Sequence, residues 1–112
     1  MGNMKTEDIT SRLAGRPYEV VTSSNLVALA AKYGHPGTDL RLAPGAVIWA
    51  PPDPTSSGTA HLVVVWPEEE LAVLSRANRD VAMLEGKVEL HGELLILNAN
   101  GMRYDLALGQ VV

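Results

Sequence analysis

Hydrophobic and polar positions alternate most regularly in the last third of the chain, from Val81 to Leu108. Two turn signals, His91-Gly92 and Asn100-Gly101, cut this stretch into three runs. Asn-Gly is a strong hairpin signal because both central positions of a tight hairpin turn need positive φ. The pattern therefore predicts a three-stranded antiparallel meander over 81–108. Two-residue turns at those dipeptides pair Val88 with Leu95 and Leu97 with Tyr104. They put Leu84, Val88, Leu90, Leu95, Leu97, Met102, Tyr104, Leu106 and Leu108 on one face, and a slip of one residue would scatter that set. On the second face the same counting sets Lys87 opposite Ile96, and Ile96 opposite Asp105.

Upstream the pattern is mixed. Thr6–Ala14 predicts a short helix with Thr6 as its cap, Glu7 and Asp8 in the first turn and Gly15 beyond its end. Tyr18–Val21 predicts a short strand. Leu26, Leu29, Ala30 and Tyr33 recur at helical spacing, so Asn25–Tyr33 predicts a second helix, capped by Ser23 or Ser24 and stopped by Gly34 and Pro36. Ala46–Ala50 and Ala60–Trp66 are continuous apolar runs, the second rich in Val, and predict two neighbouring buried strands. The segment PPDPTSSGT between them predicts a surface loop over 51–59. Glu68–Asn78 reads as helix or strand. Pro67, the acidic triplet Glu68–Glu70 and the later Arg76 and Arg79 match a helix dipole and favour helix.

Mixed elements followed by a run of strands predict an α+β fold. The expected architecture is an antiparallel sheet of about five to six strands, ending in the 81–108 meander, with two or three short helices packed on it and some prospect of strong curvature. At 112 residues this is expected to be one domain, 1–112.

Composition narrows the chemistry. The chain has no cysteine, which excludes disulfides, thiolate metal sites and thiol nucleophiles. Phenylalanine is also absent, so Trp49 and Trp66 are the largest available core pieces. The formal net charge is −4 with scattered basic residues, which disfavours nucleic-acid binding. That activity would need Arg12, Arg16, Lys32 and Arg41 to converge. The opening MGNMKTEDITSRL lacks the apolar core of a secretory signal, and no run approaches the ~20 apolar residues of a membrane span. The expected location is cytoplasmic.

Candidate sites follow from residue type and spacing. Lys87, Leu94, Ile96, Arg103 and Asp105 form an apolar band with charged flanks on the meander's second face, the pattern of an interaction surface and most simply of a homodimer. The loop 33–41 groups His35, Asp39 and Arg41, a base, an orienting carboxylate and a cation, and with His61 these are the catalytic candidates. Trp49 and Trp66 end two neighbouring strands and are the candidate aromatic wall for a ligand. Glu89, His91 and Glu93 are spaced as metal ligands are, but a turn at 91–92 would separate them, so neither metal nor cofactor is expected. No phosphate-binding glycine loop, zinc-helix motif or nucleophile elbow is present. The run Leu84–Gly101 resembles the returning strands of a cupin. The His-x-His metal pair of that family has no counterpart here, and no cupin assignment follows.

The expectation is a non-catalytic binding or interaction protein that forms a homodimer, in the class of adaptors, immunity-type inhibitors, small-ligand sensors or mobile-element accessory proteins. The alternative is a small enzyme with a pocket using the His35/Asp39/Arg41 loop.

Overall fold

Antiparallel pairing in strict chain order is the rule that builds this molecule. The computed structural model describes residues 4–13, 15–33, 42–50, 60–76, 82–108 and 110–112, with backbone only at Ala60, His61, Arg76, Ala82, Met83 and Gln110. The elements are α1 (Thr6–Thr10), β1 (Glu19–Val20), α2 (Leu26–Tyr33), β2 (Val47–Trp49), β3 (Ala60–Trp66), a 3-10 turn (Pro67–Glu69), β4 (Leu71–Arg76), β5 (Ala82–His91), β6 (Leu94–Ala99), β7 (Met102–Asp105) and β8 (Gln110–Val111). The eight strands form one sheet in the order β1 to β8, each antiparallel to the next. The fold is thus richer in sheet than the sequence suggested, with eight strands rather than five or six, and two α-helices, among the described residues.

The sheet is rolled. Trp49, in β2, donates its indole N–H to the carbonyl of Leu106, just after β7, at 3.1 Å across 57 residues. In a flat sheet those strands would stand about 24 Å apart, five inter-strand spacings. They meet because the sheet curls around its own inner face. That face carries Val47, Trp49, Val63, Val65, Ala72, Leu74, Val88, Leu95, Leu97 and Tyr104, all buried in one cluster. Met4, Ile9 and Leu13, from α1 and its flanks, fill the same interior. Both ends of this short segment are pinned. The Thr6 hydroxyl donates to the Gly45 carbonyl at 2.9 Å, and Arg12 Nε donates to the Gly92 carbonyl at 3.0 Å.

The outer face is covered over one half. Ile48, Leu62, Val64, Trp66 and Val73 from β2–β4 pack with Leu29 of α2, and Leu26 and Tyr33 of that helix join them. Helix α2 is entered through a reciprocal cap rather than through Ser23 or Ser24. The Thr22 N–H donates to Asn25 Oδ1 at 2.7 Å, and the Asn25 N–H donates to the Thr22 hydroxyl at 3.2 Å. Asn25 Nδ2 also donates to the Val20 carbonyl, covering the free edge of β1. At α1 the Lys5 N–H donates to Asp8 Oδ2, so Thr6 is not the cap there.

The segment after Pro67 corrects the helix expectation for 68–78. The acidic residues make one 3-10 turn, Glu70 takes a left-handed conformation (φ 52°), and the chain turns back as β4. Ala72 and Leu74 join the inner core while Val73 joins the outer one. Burial on two faces at period two outweighs a favourable helix dipole, which is worth only about 0.3–1 kcal/mol.

The meander forms with one register correction. Asn100 (φ 52°) and Gly101 (φ 77°) make the expected turn, pairing Ala99 with Met102 and Leu97 with Tyr104. The first turn instead uses Gly92 and Glu93, so His91 pairs with Leu94 and Val88 with Leu97. Gly92 (φ 63°) occupies the first central position, where a type II′ turn takes glycine. The shift is two residues, so every side chain keeps its face, but Lys87 now faces Asn98, and Glu89 faces Ile96. Met102 and Leu108, expected inside, lie exposed, one at the start of β7 and the other in the turn after it.

Strand β5 pairs with β4 through Ala82–Lys87 and with β6 through Lys87–His91, and Gly86 sits at the corner. A Cβ there would fall within van der Waals overlap of the Asn98 carbonyl oxygen and the Ala99 side chain. Gly86→Ala is therefore expected to cost about 1–3 kcal/mol, as overpacking does, read as a lower urea midpoint. An unchanged midpoint would contradict the corner assignment. Trp49→Phe leaves the Leu106 carbonyl without its donor and is expected to cost about 1–3 kcal/mol in the same titration.

Candidate functional site

With α2 lying on β2–β4, the outer face of β5–β7 is left without a helix over it among the described residues. Strand alternation decides what it presents. Glu85, Lys87 and Glu89 point outward from β5, Leu94, Ile96 and Asn98 from β6, and Arg103 and Asp105 from β7. Leu94 is 48% exposed, whereas Ile96, set between Glu89 and Asp105, is only 3% exposed. The apolar band expected from the sequence is therefore narrower at its centre. Lys87 and Arg103 are exposed beside it.

At the margin of this face lies a groove of about 210 Å³. Arg12 and Arg16 line one side, Leu94 and Leu108 offer apolar surface, and Glu93 and Asp105 supply two carboxylates. Several of these groups are held in place. Arg12 gives Nε to the Gly92 carbonyl and one terminal nitrogen to the Asp8 carbonyl at 2.7 Å. Asp105 Oδ1 accepts from the N–H groups of Ala107 and Leu108 at 3.0 and 3.3 Å. Arg12 and Arg16 were visible in the sequence only as half of an improbable basic patch. Lys32, the third member, lies on α2 and bonds Glu19, while Arg41 lies outside the described residues. What brings Arg12 to Glu93 is a contact across 80 residues, from α1 to the β5–β6 turn, which local pattern does not carry.

The other candidates fall as follows. His35, Asp39 and Arg41 lie outside the described residues. His61 is in β3 at an irregularity in the pairing with β4. Trp49 and Trp66 do not form one wall. Both are buried, but Trp49 belongs to the inner cluster and Trp66 to the outer, so they sit on opposite faces of the sheet. His91 is in β5 rather than in a turn, and its Nε2 is 3.4 Å from Glu89 Oε2 on the same face. Among the described residues no group of three or more acidic or histidine side chains is placed to hold a metal ion. No helix among them is long and apolar enough to cross a membrane.

A larger groove, about 510 Å³, opens beside the start of α1. Met4, Pro44, Trp66 and Pro67 line it, with Lys5, Glu68 and Glu69 exposed around it. Its charged groups stand in solvent, and Trp66 is 93% covered by the protein already, leaving little aromatic surface for a ligand.

Comparison of the chain with protein-family models, with curated proteins and with solved structures returned no match.

One further polar cluster ties β1 to α2. Glu19 Oε2 accepts from Lys32 Nζ at 3.0 Å and from the Tyr33 hydroxyl at 2.9 Å. The hydrogen bond from Lys32, then that from Tyr33, holds the Glu19 carboxyl below its ordinary value. The bond to Glu19 raises Lys32, and burial first, then Glu19, raises Tyr33. A lowered carboxyl pKa contributes stability that is present above the unfolded value and is lost as pH falls through the folded one. The melting temperature of the native chain should therefore exceed that of Glu19→Gln at neutral pH. The gap should close as pH falls below about 4. A gap that stays constant down to pH 2.5 would contradict this. The pair is exposed, so the effect should be small and should shrink in salt.

Proposed function

We propose that this chain is a non-catalytic binding protein that works as a homodimer through the outer face of β5–β7. The observation that carries the reading is the uneven cover of the sheet. Helix α2 closes the outer side of β2–β4, while β5–β7 keep a half-exposed Leu94 beside outward-pointing charges. An exposed apolar residue set within a polar rim is the anatomy of an interface. A second copy of this chain fits because the face bears both signs, Lys87 and Arg103 with Glu89 and Asp105. An isologous contact uses one patch twice and needs such a mixture. Leu94 is the apolar anchor, Lys87, Arg103 and Asp105 form the rim, and Ile96 supports them from beneath.

Leu94→Glu is expected to raise the dimer dissociation constant at least about tenfold, read by sedimentation velocity over a concentration series. Because Leu94 is half exposed, the variant should melt within a few degrees of the native chain. A native chain that stays monomeric throughout, or a variant that dimerises equally well, would overturn the reading.

A further inference from the structure

We infer that the homodimer is registered by the marginal groove, with Arg16 and Arg12 of each copy meeting Glu93 and Asp105 of the other across a twofold axis. This inference rests on the homodimer reading and specifies where and how the copies meet. The groove joins three segments distant in sequence, the turn after α1, the start of β6 and the turn after β7. Its apolar surface is Leu94 and Leu108, 48% and 37% exposed. Its charges are two arginines and two carboxylates, balanced in number. Such a patch is complementary to a rotated copy of itself, whereas a strongly acidic or basic partner would meet like charge on half of it.

The fixed geometry of two of these groups favours the same occupant. Arg12 has two of its donor nitrogens bound to backbone carbonyls, which orients the remaining one. Asp105 has Oδ1 bound to two backbone N–H groups, which fixes its carboxylate at the groove that it lines. Charges already immobilised by their own backbone lose little side-chain entropy on pairing, so they set register at low cost. Arg16 and Glu93 line the same groove without an ion pair between them. Both are open to reach across the axis.

The test is a charge swap on the full chain, read by sedimentation velocity at low salt. Arg16→Glu alone and Glu93→Arg alone each place like charges opposite one another, and each should raise the dimer dissociation constant about tenfold or more. The double variant Arg16→Glu/Glu93→Arg restores opposite signs and should return to within about threefold of the native value. Arg16→Gln and Glu93→Gln serve as neutral controls that should fall between. If the single variants dimerise like the native chain while Leu94→Glu does not, the bare face is the interface but the groove is not, and this inference fails alone. If the double variant stays as weak as the singles, the proposed pairing is also wrong. A native chain that never dimerises removes both readings.

Discussion

The hydrogen bond from the Trp49 indole to the Leu106 carbonyl marks the constraint on which the structure depends, the rolling of an eight-strand meander until β2 reaches the end of β7. A sheet of this length cannot bury its inner face while flat, and twist alone brings it only part of the way. Rolling encloses Val, Leu and Ala side chains from β2 to β6, and Tyr104 from β7. Trp49, the larger of the two aromatics on that face, lies across the gap and satisfies its only polar group there. The remaining opening is filled by Met4, Ile9 and Leu13, and the short α1 segment that brings them is anchored to Gly45 on one side and Gly92 on the other. Gly86 belongs to the same constraint, because β5 turns its corner where a side chain would collide with β6.

Rolling also decides which surface is free. Once the inner face is enclosed, it offers no surface to another molecule. The β2–β4 half of the outer face is consumed by α2, and the edge strand β1 is masked by Asn25. Among the described residues the outer face of β5–β7 carries no helix, and at its margin the β5–β6 turn, the turn after β7 and the Arg12 anchor come together. The face proposed for binding is the part of the outer sheet that α2 leaves without cover. Its margin draws on the same residues that secure α1, since the guanidinium of Arg12 both fixes the plug and fronts the groove.

Much of this was legible in the residues. The Val-rich run Ala60–Trp66 has the bounds expected of it, and the Asn100-Gly101 turn fixed the β6–β7 register, because a turn needing two positive φ values leaves few alternatives. The first hairpin slipped by two residues because Gly92 can serve either central position of a turn, and parity alone cannot distinguish registers two apart. The helix expected over 68–78 failed because an acidic start is a weak local preference, while burial of Ala72 and Leu74 on one face and Val73 on the other depends on strands that lie elsewhere in the chain. For the site, Leu94 was visible from alternation, while the burial of Ile96 on the same face is a tertiary property that alternation does not carry. The groove was invisible, since it is assembled by a contact between residues 80 apart. The pairing of Trp49 with Trp66 failed on strand parity, which sequence position at a strand end does not reveal.

The most direct measurement is an amide chemical-shift map of the chain across a dilution series. Self-association through the bare half of the rolled sheet predicts concentration-dependent shifts concentrated at Arg12, Arg16, Glu93, Leu94, Arg103 and Leu108, with α2 and β1 unmoved. Shifts centred on α2 or on β1, or a spectrum that does not change with concentration, would contradict the account.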